Sequence, residues 1–189
     1  ANGIEPHPGR SKACREAGLP VETVLLEEYA EKTDRRYDVV FHVDLLAHFA
    51  DPIRSLKQMV RLLAPGGMLC FEVGALGNLS PFWYKTVGGL GLPQHLWLYS
   101  VKSLGLLMER AGLEVVDQTC FGLSGAVALG RGIRSFRKIR NVTAPPLSER
   151  ADTPFHKMKL RAHMAVRYKV GALLPPVGPL TYFFLVRPK

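Results

Sequence analysis

Residues 37–73 read YDVVFHVDLLAHFADPIRSLKQMVRLLAPGGMLCFEV, and this stretch decides the fold. Val39, Val40 and Phe41 form a short apolar run that suits a strand of a parallel sheet, central and buried on both faces. Asp51 and Pro52 read as the N-cap and first residue of a helix. Ile53, Leu56, Met59, Val60 and Leu63 then recur at helical spacing, with Arg54, Lys57 and Arg61 off that face. Pro65-Gly66-Gly67 turns the chain, and Met68 to Val73 reads as the next strand. Strand, helix of about three turns and strand make a right-handed βαβ unit.

The same stretch resembles class I S-adenosylmethionine-dependent methyltransferases of the small-molecule type. Tyr37-Asp38-Val39-Val40, Asp44 to Phe49, Asp51-Pro52 and Leu63-Ala64-Pro65-Gly66-Gly67 stand in the order of that family's segments. Ala47 departs from the pattern, which has Glu before the His. The resemblance implies a Rossmann-like α/β sheet, mostly parallel with an antiparallel last strand. It also implies S-adenosylmethionine as cofactor. The family's strand order is 3-2-1-4-5-7-6, and its glycine-rich loop follows the first strand. No such loop precedes Gly3-Ile4-Glu5-Pro6, so the first strand is expected to be missing. The chain is then the C-terminal part of a longer methyltransferase, or a damaged copy of one.

The resemblance extends along the chain. Glu5 stands where the family has an acidic residue that accepts hydrogen bonds from both cofactor ribose hydroxyls, a role a carboxylate suits. A helix over 9–17 leads to a strand over 21–26. Glu27 and Glu28 follow, where the family contacts the adenine; a solvated face explains them equally well. Phe41, His42 and Val43, at the end of the next strand, are expected beside the cofactor. Residues 93–100, PQHLWLYS, precede a helix over 101–111 capped by Ser100 and closed by Gly112. Residues 113–120 read as the sixth strand and 181–186 as the seventh. The expected organisation is a core over 1–122, a basic helical insertion or lid over 123–179, and the last core strand over 180–189.

Methyl transfer from a sulfonium needs alignment, and a base only where the acceptor must lose a proton. Histidine titrates in the right range. His95 and His42 are therefore the catalytic candidates, and His48 a lesser one. Each also reads as an ordinary structural histidine. Trp83, Tyr84, His95 and Tyr99 are the candidate acceptor contacts, although core packing explains aromatic residues as well. No metal-ligand spacing, P-loop or nucleophile elbow is present in the sequence.

The composition, 47% hydrophobic and 22% charged over 189 residues, is that of a globular protein. Cys14, Cys70 and Cys120 are scattered, which reads as reduced thiols in a cytoplasmic protein. The opening residues do not read as a signal peptide. Prolines at 175, 176 and 179 interrupt the longest uncharged run, so it is a poor membrane span.

Between Arg131 and Lys169 lie eleven Lys/Arg against Glu149 and Asp152. This segment alone carries the chain's whole net charge of +9. A helix over 155–170 with apolar residues on two sides would pack on the core and face something else. Methyl transfer to a small molecule leads. The alternatives are an inactive binding module whose basic segment holds RNA or an anionic membrane, and a nucleic-acid methyltransferase. No base-stacking motif supports the RNA readings. The expected localisation is cytoplasmic, with peripheral membrane contact through 131–169. Each basic residue near an anionic bilayer contributes about 1 kcal/mol. Changing Arg134, Arg137, Lys138 and Arg140 together to Ser should therefore abolish co-sedimentation with anionic vesicles. Equal pelleting of variant and wild type would rule the membrane contact out.

Overall fold

The computed structural model describes residues 1–78, 94–122, 158 and 180–189. The element order is β1 (Gly3–Ile4), α1 (Pro8–Glu16), β2 (Val21–Glu22), α2 (Leu26–Lys32), β3 (Tyr37–Val43), α3 (Pro52–Arg61), β4 (Leu63–Ala75), α4 (Val101–Arg110), β5 (Leu113–Gly122) and β6 (Leu180–Pro188). Met158 is helical; the rest of the expected 155–170 helix, and of the 123–179 insertion, lies outside the described residues.

Local chemistry sets the helix ends. Asp51 Oδ1 accepts the Arg54 N–H at 3.0 Å, and Pro52 opens α3, where a missing N–H costs nothing. Ser100 and Ser103 cap α4 reciprocally, and Gly112, at φ 74°, turns the chain after it. His7 caps α1, its Nδ1 accepting the Gly9 and Arg10 N–H groups. Two bounds differ from the sequence reading. β2 is two residues long rather than six, because Leu26, Tyr29 and Ala30 turn inward as a helix and join the core. The strand β4 begins at Leu63 and runs through the Pro65-Gly66-Gly67 turn. A Cβ on Gly67 would lie 2.8 Å from the Tyr37 carbonyl oxygen, so only glycine lets β3 start against this bend.

The strands form two groups. β1 and β2 pair in parallel. The other four run in the order β3-β4-β6-β5, with β3 parallel to β4 and β6 antiparallel to both of its neighbours. The expected antiparallel last strand is thus present. Among the described residues, no strand pairs with the second edge of β3. The expected order without its first strand has its break at this same place.

The two faces of the four-stranded sheet differ. Leu69, Phe71, Val73 and Ala75 of β4 share one face with Phe184 and Val186 of β6. All six are buried in one core with Leu56 and Met59 of α3 and Leu104, Leu107 and Met108 of α4. Val39, Phe41 and Val43 point to the opposite face and are 56%, 60% and 47% exposed. The expectation of a central strand buried on both faces is therefore corrected. β3 is an edge strand among the described residues, and only the Val40 and His42 side meets the core. An uninterrupted apolar run looks the same whether one face or two are covered.

Burial sets the energetics of this layer. Leu56 is fully buried, so Leu56→Ala should destabilise the protein by about 3 kcal/mol in urea unfolding. Val39→Thr, on the uncovered face, should cost less than about 0.5 kcal/mol. Comparable losses for the two would contradict the one-sided core.

Candidate functional site at the carboxyl ends of the strands

Open α/β sheets bind ligands outside the carboxyl ends of their strands, where the strand order reverses. Among the described residues β1 and β3 belong to separate sheets, and the carboxyl end of each carries a candidate residue. Glu5 follows β1 directly. Its main-chain N–H donates to the Glu22 carbonyl at 3.0 Å, and its Oε1 accepts the His7 N–H at 2.9 Å. The carboxylate is thus oriented through one oxygen, and Oε2 has no partner among the described residues. Asp44 follows β3 at φ 50°, a left-handed conformation that Asp tolerates better than most residues. Its N–H donates to the Glu72 carbonyl at 3.1 Å, which fixes where β3 ends against β4.

The next turn, Leu46–His48, carries a clasp built largely of main-chain groups. The Ala47 carbonyl accepts the Leu96 N–H at 2.8 Å and the Trp97 N–H at 3.4 Å. The Phe49 carbonyl accepts Trp97 Nε1–H at 2.8 Å, and the Leu46 carbonyl accepts the Tyr99 hydroxyl at 3.3 Å. His48 Nδ1 lies 2.8 Å from the Gln94 carbonyl oxygen. On the far side, the Gly77 N–H donates to the Tyr99 carbonyl at 2.7 Å. A Cβ on Gly77 would lie 2.8 Å from the Leu98 carbonyl oxygen, so the end of β4 approaches this segment only as glycine. The clasp brings His95 beside His48, with ring centroids 4.9 Å apart and planes at 65°.

The other candidates are distributed as follows. Phe41 and Val43 point to the open face, with the Phe183 ring 6.4 Å from that of Phe41. His42 points the other way, as strand alternation requires. The register pairs it with Phe71, and the two rings stack at 5.3 Å. His42 is buried, and among the described residues neither ring nitrogen has a hydrogen-bond partner. Burial holds its pKa at about 4, so the ring is neutral and sealed from solvent. Glu27 and Glu28 lie in the first turn of α2, where they favour the helix dipole, rather than on a loop after a strand. Tyr99 is buried, and burial pushes its phenol pKa up. Trp83 and Tyr84 lie outside the described residues. No cluster of three or more potential metal ligands occurs among the described residues, and no helix there is long and apolar enough to cross a membrane.

The family profile described as "Methyltransferase domain" matches residues 3–118. The chain belongs to this family. It is similar to the ubiquinone biosynthesis O-methyltransferase of Klebsiella pneumoniae (strain 342), at 35% identity over 89 residues. That match takes in 46% of this chain and 36% of the relative, so the chain spans about a third of the curated protein it resembles. Among solved structures, a putative methyltransferase from Bacillus halodurans C-125 superposes with a TM-score of 0.58 at 17% identity, over 98% of this chain and 82% of that one. A SAM-dependent methyltransferase from Archaeoglobus fulgidus gives 0.53 at 14% identity, over 97% and 74%. These likenesses establish the Rossmann-like fold.

The clasp was not foreseen, because its acceptors are the carbonyls of Leu46, Ala47 and Phe49, and a main-chain group leaves no mark in the sequence. The departure from the family pattern at Ala47 leaves the clasp intact. The Ala47 carbonyl does its holding whatever side chain the position bears.

The burial of His42 gives a pH dependence with a definite sign. An unfolded chain binds a proton at His42 near pH 6.5, and the folded protein only near 4. The contribution of the neutral buried ring is therefore complete above about pH 6.5 and falls as the pH drops toward 4. The full difference is about 3 kcal/mol. His42→Leu should flatten the urea-midpoint profile between pH 7 and 4. An unchanged slope in that variant would show that other groups cause it.

Proposed function

We propose that the complete polypeptide transfers a methyl group from S-adenosylmethionine to a hydroxyl of a small-molecule acceptor. The observation that carries this reading is the His48–His95 pair, held by the clasp just past the carboxyl end of β3. The similarity to proteins named as O-methyltransferases favours oxygen as the attacking atom.

Glu5 fits the cofactor's ribose end, since one carboxylate oxygen is fixed by His7 and the other remains for a hydroxyl. Phe41 and Val43 offer exposed apolar surface at the end of β3. The cofactor supplies an activated methyl on a sulfonium, so the protein's work is alignment and proton handling. A ring nitrogen of His95 accepts the proton that the acceptor hydroxyl gives up. His42, sealed in the core, supports the strand instead.

The open edge of β3 bears on the same reading. A parallel strand seated between β3 and β1, continuing through a helix into β1, would cross the sheet in the direction opposite to β3–α3–β4. Right-handed crossovers then put that helix on the opposite face from α3. This is the face on which Val39, Phe41 and Val43 are exposed. We assign the activity to the protein with such a strand and helix in place, the extended protein.

Isothermal calorimetry and an S-adenosylhomocysteine assay with a panel of catechols and hydroxybenzoates test the proposal. The extended protein should bind cofactor and turn over at least one hydroxylated acceptor, whereas the 189-residue chain alone should bind weakly. Glu5→Ala should weaken cofactor binding by about 1–3 kcal/mol. His95→Asn should lower kcat by about a hundredfold or more. Turnover of amines alone would move the reading to nitrogen, and full activity in His95→Asn would remove the base.

A further inference from the structure

The clasp fixes the course of residues 94–99 through main-chain carbonyls, and such bonds do not themselves set the plane of the His95 ring. The side chain of His48 touches both. Its Nδ1 faces the Gln94 carbonyl at 2.8 Å. A carbonyl oxygen only accepts, so this nitrogen carries the proton and the lone pair of the neutral ring sits on Nε2. The same ring meets that of His95 edge to face, 4.9 Å between centroids. One side chain therefore binds the residue before His95 and packs against His95 itself.

Stability gives little reason for this arrangement. His48 is exposed, and an exposed neutral hydrogen bond contributes only about 1 kcal/mol. The 94–97 segment already has three other hydrogen bonds to the same turn, from Leu96 N, Trp97 N and Trp97 Nε1. The nearest position at which the family pattern would offer a carboxylate is Ala47 here, so no acidic side chain at that position can orient the pair.

We propose that His48 is a positioning residue: its ring fixes the plane of the His95 imidazole, and so sets how well His95 meets the acceptor hydroxyl. This rests on the reading of His95 as the proton acceptor. The fixed geometry spares the transition state the freezing of that ring, and small misplacements of a reacting group cost up to about a hundredfold in rate.

Two variants of the extended protein separate positioning from plain clasping. In His48→Asn the side-chain amide retains a donor for the Gln94 carbonyl and loses the ring. In His48→Phe the ring remains and the donor is lost. The probes are S-adenosylmethionine with the best acceptor of the catechol panel, together with side-chain 15N–1H correlation spectra and NOEs of His95. Positioning predicts that His48→Asn keeps its melting temperature and KM within about twofold, lowers kcat by about tenfold or more, and alters the His95 ring signals. His48→Phe should retain more of kcat than His48→Asn. If His48→Asn matches wild type in both kcat and the His95 signals, His48 is a clasp and the proposal fails. The His95 spectra need no turnover. Altered signals in His48→Asn beside a wild type inert toward every phenol would uphold the orientation and overturn only the choice of acceptor.

Discussion

The burial of one face of β4 against α3 and α4 governs this structure. Leu69, Phe71, Val73 and Ala75 are almost wholly withdrawn from water against α3 and α4. At about 25 cal/mol per Å² of apolar surface, this layer is the main source of stability available to the described residues. It fixes the level at which β3 lies against β4, because a slip of one residue would turn Val40 and His42 outward. The level of β3 in turn decides where Asp44 leaves the sheet, and hence where the Leu46–His48 turn presents its carbonyls. The site is built at the end of this chain of constraints.

The clasp and the core divide the work in a physically sensible way. The core is apolar and non-directional, and it sets positions to within a packing layer. The clasp is directional. It converts that position into a fixed path for residues 94–99 through bonds to the main-chain carbonyl groups of Leu46, Ala47 and Phe49. Gly77 closes the third side, where any side chain would collide with the backbone at Leu98. Two histidines 47 residues apart in the chain are thereby held within van der Waals reach.

Much of this was legible in the sequence because it is local. Asp51-Pro52, Ser100 and Gly112 act on neighbours within one helical turn, and the apolar spacing of α3 needs nothing beyond its own period. The antiparallel β6 followed from the family resemblance and was borne out. Face assignment was not legible. Val39-Val40-Phe41 reads as buried on both sides, and only the absence of a covering layer among the described residues shows otherwise. Leu25 and Leu26 looked like the end of a strand, yet Leu26 begins a helix whose buried residues reach the core. Tyr99 read as a pocket aromatic; its burial and the bond of its hydroxyl to the Leu46 carbonyl were not legible. In each case the deciding partner is distant in the chain, and propensity carries no information about it.

The bare edge of β3 has a consequence for how this chain behaves in solution. Among the described residues it presents unpaired main-chain donors and acceptors beside Val39, Phe41 and Val43, with Asp38 as the only charged residue within the strand. Natural sheets protect such edges with lysines, prolines or bulges, and this one carries none of them along 39–43. An unprotected apolar edge recruits like edges, so the described residues favour self-association as concentration rises. Dilution, or a charged residue at position 41, would oppose that tendency without disturbing the buried face on which the fold rests.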